Sequence, residues 1–193
     1  MRKQLFLSHS WAVDEEGRDT HARARLLAHN LQRLGWSVWF DEYDMRNNID
    51  ASMANGIDGA DTVLILLTRA YARKVNRAAQ LPVSSNDNCL KEFSYAMFRG
   101  KAVLPIVFEE RMRDPSGWSP GIVPMRLSMT LYVEAVEDDL HDATVRIHKA
   151  LLANGMRPHA WSERIRRRMR QRSRTTPWMF DDRTARIRHV VHL

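Results

Sequence analysis

The run Thr62-Val-Leu-Ile-Leu-Leu67 limits the fold of this chain more than any other stretch. It carries no charge and no polar alternation, so it has no face suited to solvent. It is predicted to be a strand covered on both sides, near the centre of a sheet. Cover on both sides is the habit of parallel sheets, whose crossover helices supply it.

The flanking sequence repeats a strand–helix rhythm around that run. Gln4 to Ser8 is a short apolar strand, and Asp14 to Asp19, with Gly17, is a polar loop. From Thr20, Ala24, Leu27, Leu31 and Leu34 mark one helical face, which Gly35 closes. Trp36 to Phe40 is a β-branched and aromatic second strand, followed by a polar loop from Asp41 to Asn48. Asp50 is the expected N-cap of a helix carrying Met53 and Ile57 and ending at Gly59. After Leu67 come a short helix, Arg69 to Val75, a Ser/Asn/Asp-rich loop from Leu81 to Asn88, and a helix from Leu90 to Phe98. Ala102 to Phe108 is a fourth strand in which Pro105, lacking a ladder donor, predicts an edge or bulged position. Pro115 to Pro124 reads as irregular loop, Met129 to Val133 as a fifth strand, and Leu140 to Leu152 as a final amphipathic helix.

Five strands alternating with helices, without a hairpin signal, predict an α/β domain of flavodoxin-like type: a parallel sheet with helices on both faces, spanning residues 1–155. Ligands of such sheets bind beyond the carboxyl ends of the strands, where strand order reverses. Attention therefore falls on the loops Ser8–Asp19, Asp41–Ile49 and Thr68 onward.

Residues 156–193 differ in kind. From Arg157 to Leu193 eleven Arg stand against three acidic residues, a net of +8, whereas the whole chain carries +7. The domain is thus close to neutral and the basicity belongs to an Arg-rich C-terminal extension. The run from Glu163 to Arg174 reads either as a solvated tail or as a basic amphipathic helix. In the second case its partner is anionic, nucleic acid or acidic lipid. No apolar stretch approaches the roughly 18 residues a membrane helix needs. The single cysteine, Cys89, rules out an intrachain disulfide and fits a reducing, cytoplasmic setting. No CxxC or HxxxH spacing occurs among the eight His and one Cys, so the protein is expected to be free of metal.

The predicted loops and strands carry a further pattern. Phe6-Leu-Ser-His-Ser-Trp11 resembles the first box of the TIR (Toll/interleukin-1 receptor) domain family, and Gly35-Trp-Ser-Val-Trp-Phe-Asp-Glu42 its second strand. Asn48 to Ile57 is similar to the helix after its BB loop, and Ala60 to Thr68 with Tyr71 to its third strand and the turn beyond. Asn88-Cys-Leu-Lys-Glu-Phe93 resembles the motif W-C-L-x-E-[LF], and Gly100 to Val107 the fourth strand. Six boxes in order cover most of the domain and none of the tail. The resemblance implies a five-stranded parallel sheet and two functions: cleavage of the nicotinamide–ribose bond of NAD, to ADP-ribose or a cyclic form, or catalytically silent homotypic assembly in immune and cell-death signalling. A nucleoside 2-deoxyribosyltransferase fits the boxes less well. A phospho-receiver domain wants acidic residues where Ser8-His9-Ser10 stands.

Cleaving NAD is light chemistry. The nicotinamide is already a cationic leaving group, so one carboxylate suffices to stabilise positive charge on the ribose and position its hydroxyls. The resemblance places that carboxylate at Glu92, whose plainer reading is a solvated helix residue. Ser8, His9, Ser10 and Trp11 end the first strand and are the implied substrate contacts, with Asp41, Asp44 and Cys89. Each has an ordinary reading beside it: strand-end hydrogen bonding, a partly buried Trp, turn capping for the two Asp, a small buried residue for Cys89. NAD enters as substrate and no cofactor is implied. Two departures stand out: Asn88 replaces the family's aromatic residue, and the loop Asp44–Ile49 lacks a glycine.

Overall fold

The computed structural model describes residues 3–45, 48–81 and 86–158 of the 193-residue chain. The Arg-rich run Glu163–Arg174 lies outside the described residues, as do residues 46–47 of the BB-loop segment and 82–85 of the Ser/Asn/Asp-rich loop.

The strands are β1 (Leu5–Ser8), β2 (Val38–Trp39), β3 (Thr62–Leu67), β4 (Ala102–Val107) and β5 (Val133–Glu134). They form one wholly parallel sheet in the order β2-β1-β3-β4-β5. The connecting helices are α1 (Thr20–Arg33), α2 (Asp41–Asp44), α3 (Ile49–Gly59), α4 (Arg69–Ala78), α5 (Asn88–Phe98), α6 (Ile122–Leu127) and α7 (His141–Ala153). The predicted TIR-like, doubly wound architecture is therefore the observed one.

Alternation along the strands divides the interior into two cores. Leu5, Leu7, Leu64, Leu66, Leu104 and Ile106 face α1 and α7. Phe6, Val63, Ile65, Leu67 and Val107 face the layer of α3, α4, α5 and α6. This explains the unbroken apolar run of β3: each of its side chains from Val63 to Leu67 is fully buried in one core or the other, at about 1.5–3 kcal/mol of burial per large residue. The second core leaves no room at Gly56 of α3, where a Cβ would lie 2.7 Å from the Trp39 indole nitrogen.

Helix ends follow local chemistry. Asp19 caps α1 by accepting from His21 N and Ala22 N, and Gly35 leaves the helix with φ near +91°. The N-cap of α3 is Asn48, not Asp50: its side chain accepts from Ala51 N at 3.0 Å, and Asp50 lies inside the first turn, where it favours the helix dipole.

Four further sequence expectations are corrected. The edge strands β2 and β5 keep only two residues each, and β5 starts at Val133, not Met129, which is exposed; short edges limit unwanted pairing. Pro105 sits in an internal strand, opposite Ile65, but β5 pairs only from Ile106 onward, so at Pro105 the strand has one neighbour. The polar loop after β2 contains the single turn α2. The stretch read as irregular runs into α6, whose first turn accommodates Pro124 where no intrahelical donor is required. Asn76 of α4 fastens α6 by accepting from Val123 N and donating to Ser119 O.

Candidate active site at the carboxyl end of β1

β1 is the strand from which the chain runs outward in both directions, to β2 on one side and β3 on the other. Its last residue is therefore at the switch point, where parallel sheets bind ligands. Ser8 turns toward α4 and α5. Its hydroxyl donates to Glu92 Oε2 at 2.7 Å and lies 2.8 Å from the Tyr71 hydroxyl. With Ser8's only proton given to the carboxylate, Tyr71 is the donor to Ser8, and a chain Tyr71–Ser8–Glu92 results. Glu92 is on α5, whose N-cap Asp87 accepts from Leu90 N. Its solvated reading does not hold: Glu92 is 8% exposed. Burial pushes its carboxyl up to about 8; the Ser8 hydroxyl holds it back, and Asp41 and Asp87 add to the rise. Burial also raises the Tyr71 hydroxyl well above its ordinary value.

Glu92 borders a cleft of about 420 Å³ between α3 and α5, walled by Met53, Ile57, Tyr95 and Phe98, with Asp50 and Lys91 at its rim. Asp50 and Lys91 pair across it at 2.7 Å. An apolar concavity with few polar groups and one carboxylate of raised pKa is the ordinary form of a small-molecule site.

His9, the next residue, turns the other way, toward α1. Its ring is buried, lies over Phe40 and places Nε2 2.8 Å from Nδ1 of His21. Burial pulls the His9 imidazole down to about 4, with Asp41 opposing and His21 adding to the shift. Trp11 is 64% exposed, stacks on His21 with ring centroids 3.8 Å apart, and donates from Nε1 to Asp41 Oδ2 at 2.8 Å. Asp41 lies 3.9 Å from His9 and 4.0 Å from His21. His9, Trp11 and Asp41 thus meet, joined by a residue that sequence reasoning passed over: His21, in the first turn of α1 and twelve positions from His9. Spacing rules test local pairs, so the convergence of His9, His21 and Asp41 escapes them although the metal-free expectation was based on those rules.

The remaining expected contacts are placed otherwise. Ser10 is fully buried with its hydroxyl 3.4 Å from that of Thr68. Asp44 accepts from Phe40 N at 3.1 Å and pairs with Lys3 at 3.1 Å, the work of a turn cap. Cys89 is buried below the loop, its thiol 3.5 Å from His9 O and pushed by burial, with Glu92 adding, up to about 12, which suits packing and not nucleophilic attack. Asn88 starts α5 in an exposed position.

Sequence reasoning also missed what holds the β1–α1 loop. Asp14, in a stretch read as a polar loop, is buried between Arg18 and Arg23 at 2.8 and 3.2 Å. Arg23 donates onward to the carbonyls of Phe108, Ala135 and Glu137 and lies over the Phe108 ring. One guanidinium thereby ties α1 to the carboxyl ends of β4 and β5. Only the apolar spacing of Ala24, Leu27 and Leu31 was visible, and Arg23 interrupts that face.

Among the described residues no helix is long and apolar enough to cross a membrane. A sequence search of curated proteins finds no match. Among solved structures the chain is similar to the crystal structure of the TIR domain of the Toll-related receptor TRR-2 from Hydra magnipapillata. The TM-score is 0.51 at 13% identity, over 77% of this chain and 96% of that one. That is a likeness of fold. The sequence profile described as TIR domain matches residues 5–141, from the first residue of β1 to the first of α7; this chain belongs to the TIR-domain family.

Proposed function

We propose that this TIR domain cleaves the nicotinamide–ribose bond of NAD with Glu92 as the catalytic carboxylate, releasing nicotinamide and ADP-ribose or its cyclic form. TIR domains serve signalling and some members cleave NAD, so turnover here would be a signalling output. The observation that carries the reading is the position of Glu92: buried at the switch point, held by Ser8, and among the residues that line the α3–α5 cleft.

The geometry suits the chemistry. With the cleft empty, Glu92 is mostly protonated at neutral pH because burial disfavours its charge. A bound dinucleotide brings the cationic nicotinamide beside it, and ribose gains positive charge as the bond breaks. Both favour the carboxylate, so its stabilisation is greatest in the transition state, which is the requirement for catalysis. Ser8, donating to Oε2, fixes the carboxylate. The apolar walls at Met53, Ile57 and Phe98 suit a flat aromatic base.

A scaffold without turnover is the second reading, favoured by one observation: Phe98, at the end of α5, is 81% exposed beside that cleft. TIR domains commonly self-associate, and an apolar rim of this kind suits a TIR–TIR contact. The test is incubation of concentrated protein with NAD, following free nicotinamide, beside Glu92→Ala. Release by wild type alone is expected. No release under any self-associating condition leaves the scaffold; equal release from both proteins removes Glu92 from the mechanism.

A further inference from the structure

We propose that His9, His21 and Asp41 form a binding site for a divalent transition-metal ion of the zinc class, on the α1 side of β1. The site is separate from the cleft that Glu92 borders, and it stands or falls independently of NAD turnover.

The first argument is convergence. His9 Nε2, His21 Nδ1 and the Asp41 carboxylate come from three elements, the end of β1, the first turn of α1 and the start of α2, yet all lie within 4.8 Å of one another. Ligand atoms about 2.0–2.1 Å from a tetrahedral ion stand roughly 3.3 Å apart. The observed separations, 2.8, 3.9 and 4.0 Å, bracket that value. The rings must part by about half an ångström and the carboxylate approach by a similar amount, within the reach of small side-chain rotations. Without the ion, a single proton joins the two imidazoles; when an ion binds, the ring that carried this proton takes the tautomer protonated on its other nitrogen, and each ring turns a lone pair to the ion.

The second argument is the surroundings. Metal-bound imidazoles and carboxylates are held by outer hydrogen bonds that fix tautomer and orientation. His21 presents its remote nitrogen, Nε2, 3.5 Å from Glu42 Oε2, which stabilises the tautomer that leaves Nδ1 free for an ion. Asp41 is oriented through both oxygens, Oδ2 accepting from the Trp11 indole N–H and Oδ1 from Glu42 N, each at 2.8 Å, and each oxygen keeps a further lone pair for an ion. The Trp11 ring lies against His21 and holds it in plane. A bare hydrogen-bonded His pair needs neither support. Two imidazoles and one carboxylate are borderline donors that favour zinc-class ions over magnesium or calcium, and three protein ligands leave a coordination position for water or substrate.

The experiment uses the full chain, stripped with chelator and titrated with Zn²⁺ against a chromophoric competitor, then with Co²⁺ for its visible spectrum. One ion per chain is expected at this site, with the Co²⁺ spectrum of a four- or five-coordinate nitrogen–oxygen centre. Nitrogen-15 spectra of the zinc form should report coordination through His9 Nε2 and His21 Nδ1. Zinc affinity should fall at least about a hundredfold in His21→Ala and Asp41→Asn, and roughly ten- to a hundredfold in Glu42→Gln, which removes only the outer support. Glu42 is exposed, so that variant keeps the test decisive if a ligand variant fails to fold. Absence of zinc binding overturns the proposal. So does equal affinity in wild type, His21→Ala and Asp41→Asn, which would assign the ion to other histidines, or coordination through the opposite ring nitrogens.

Discussion

Ser8 and His9 are neighbours in sequence, yet they leave the end of β1 in opposite directions and enter regions built on different plans. On the Ser8 side a lone carboxylate is buried against a hydroxyl chain and an apolar cleft. On the His9 side two imidazoles and a carboxylate face one another beneath an exposed indole. Burial acts on both with opposite sign, pushing the acid up and the base down, so both Glu92 and His9 are held uncharged. The carboxylate side is poised to gain charge when a cation arrives. The imidazole side already has its anion, Asp41. One strand end therefore presents two different polar settings, because period-two alternation continues past its last ladder residue.

The largest expected break in this comparison is Glu92→Gln. Nicotinamide release, followed chromatographically, should drop at least about a hundredfold, since the neutral amide cannot develop charge. The same variant should fold well. Glu92 has a folded pKa above its unfolded value, so its contribution to stability is fully present below about pH 4.5 and is lost as pH rises toward about 8. Urea denaturation across that window should show wild type losing stability relative to Glu92→Gln.

Next in size is Asp14→Ala, which leaves Arg23 buried beside Arg18 without its anion. A loss of about 3 kcal/mol is expected in denaturant melts, with the β1–α1 loop and the imidazole side affected before the carboxylate side. Gly56→Ala strikes the other region by driving a methyl into Trp39; about 1–3 kcal/mol of destabilisation should appear in the same assay. Ser8→Ala removes the one group that lowers the Glu92 pKa. Its pH–rate profile should move to higher pH, with release at neutral pH down by roughly tenfold, the worth of one hydrogen bond to a charge. Trp11→Phe is the mildest change, costing below about 1 kcal/mol in thermal melts, because the bond it removes is exposed.

Much of the fold was legible because apolar continuity reports burial directly. Thr62–Leu67 gave the central strand at its observed bounds, and the helix after Thr20 was readable from its apolar face and Gly35. Edge strands of two residues carry too little pattern to be placed, and α6 hides behind Pro124 and depends on Asn76 from a distant helix. At the site, Glu92 was reachable only through the motif around Cys89. Its burial and its bond to Ser8 are long-range facts, joining positions 84 residues apart. The same holds for His21 and for Asp14 with Arg23: each looks like a solvated polar residue until the sheet folds the chain back over it.

The most direct test is the pH dependence of kcat/KM for nicotinamide release, which reports the ionisation of the free protein. The rate should rise with pH along a single ionisation near 8 and be lost at every pH in Glu92→Gln. A profile flat from about pH 6 to pH 9, or release by Glu92→Gln equal to wild type, contradicts a buried, charge-gated carboxylate as the centre of this site.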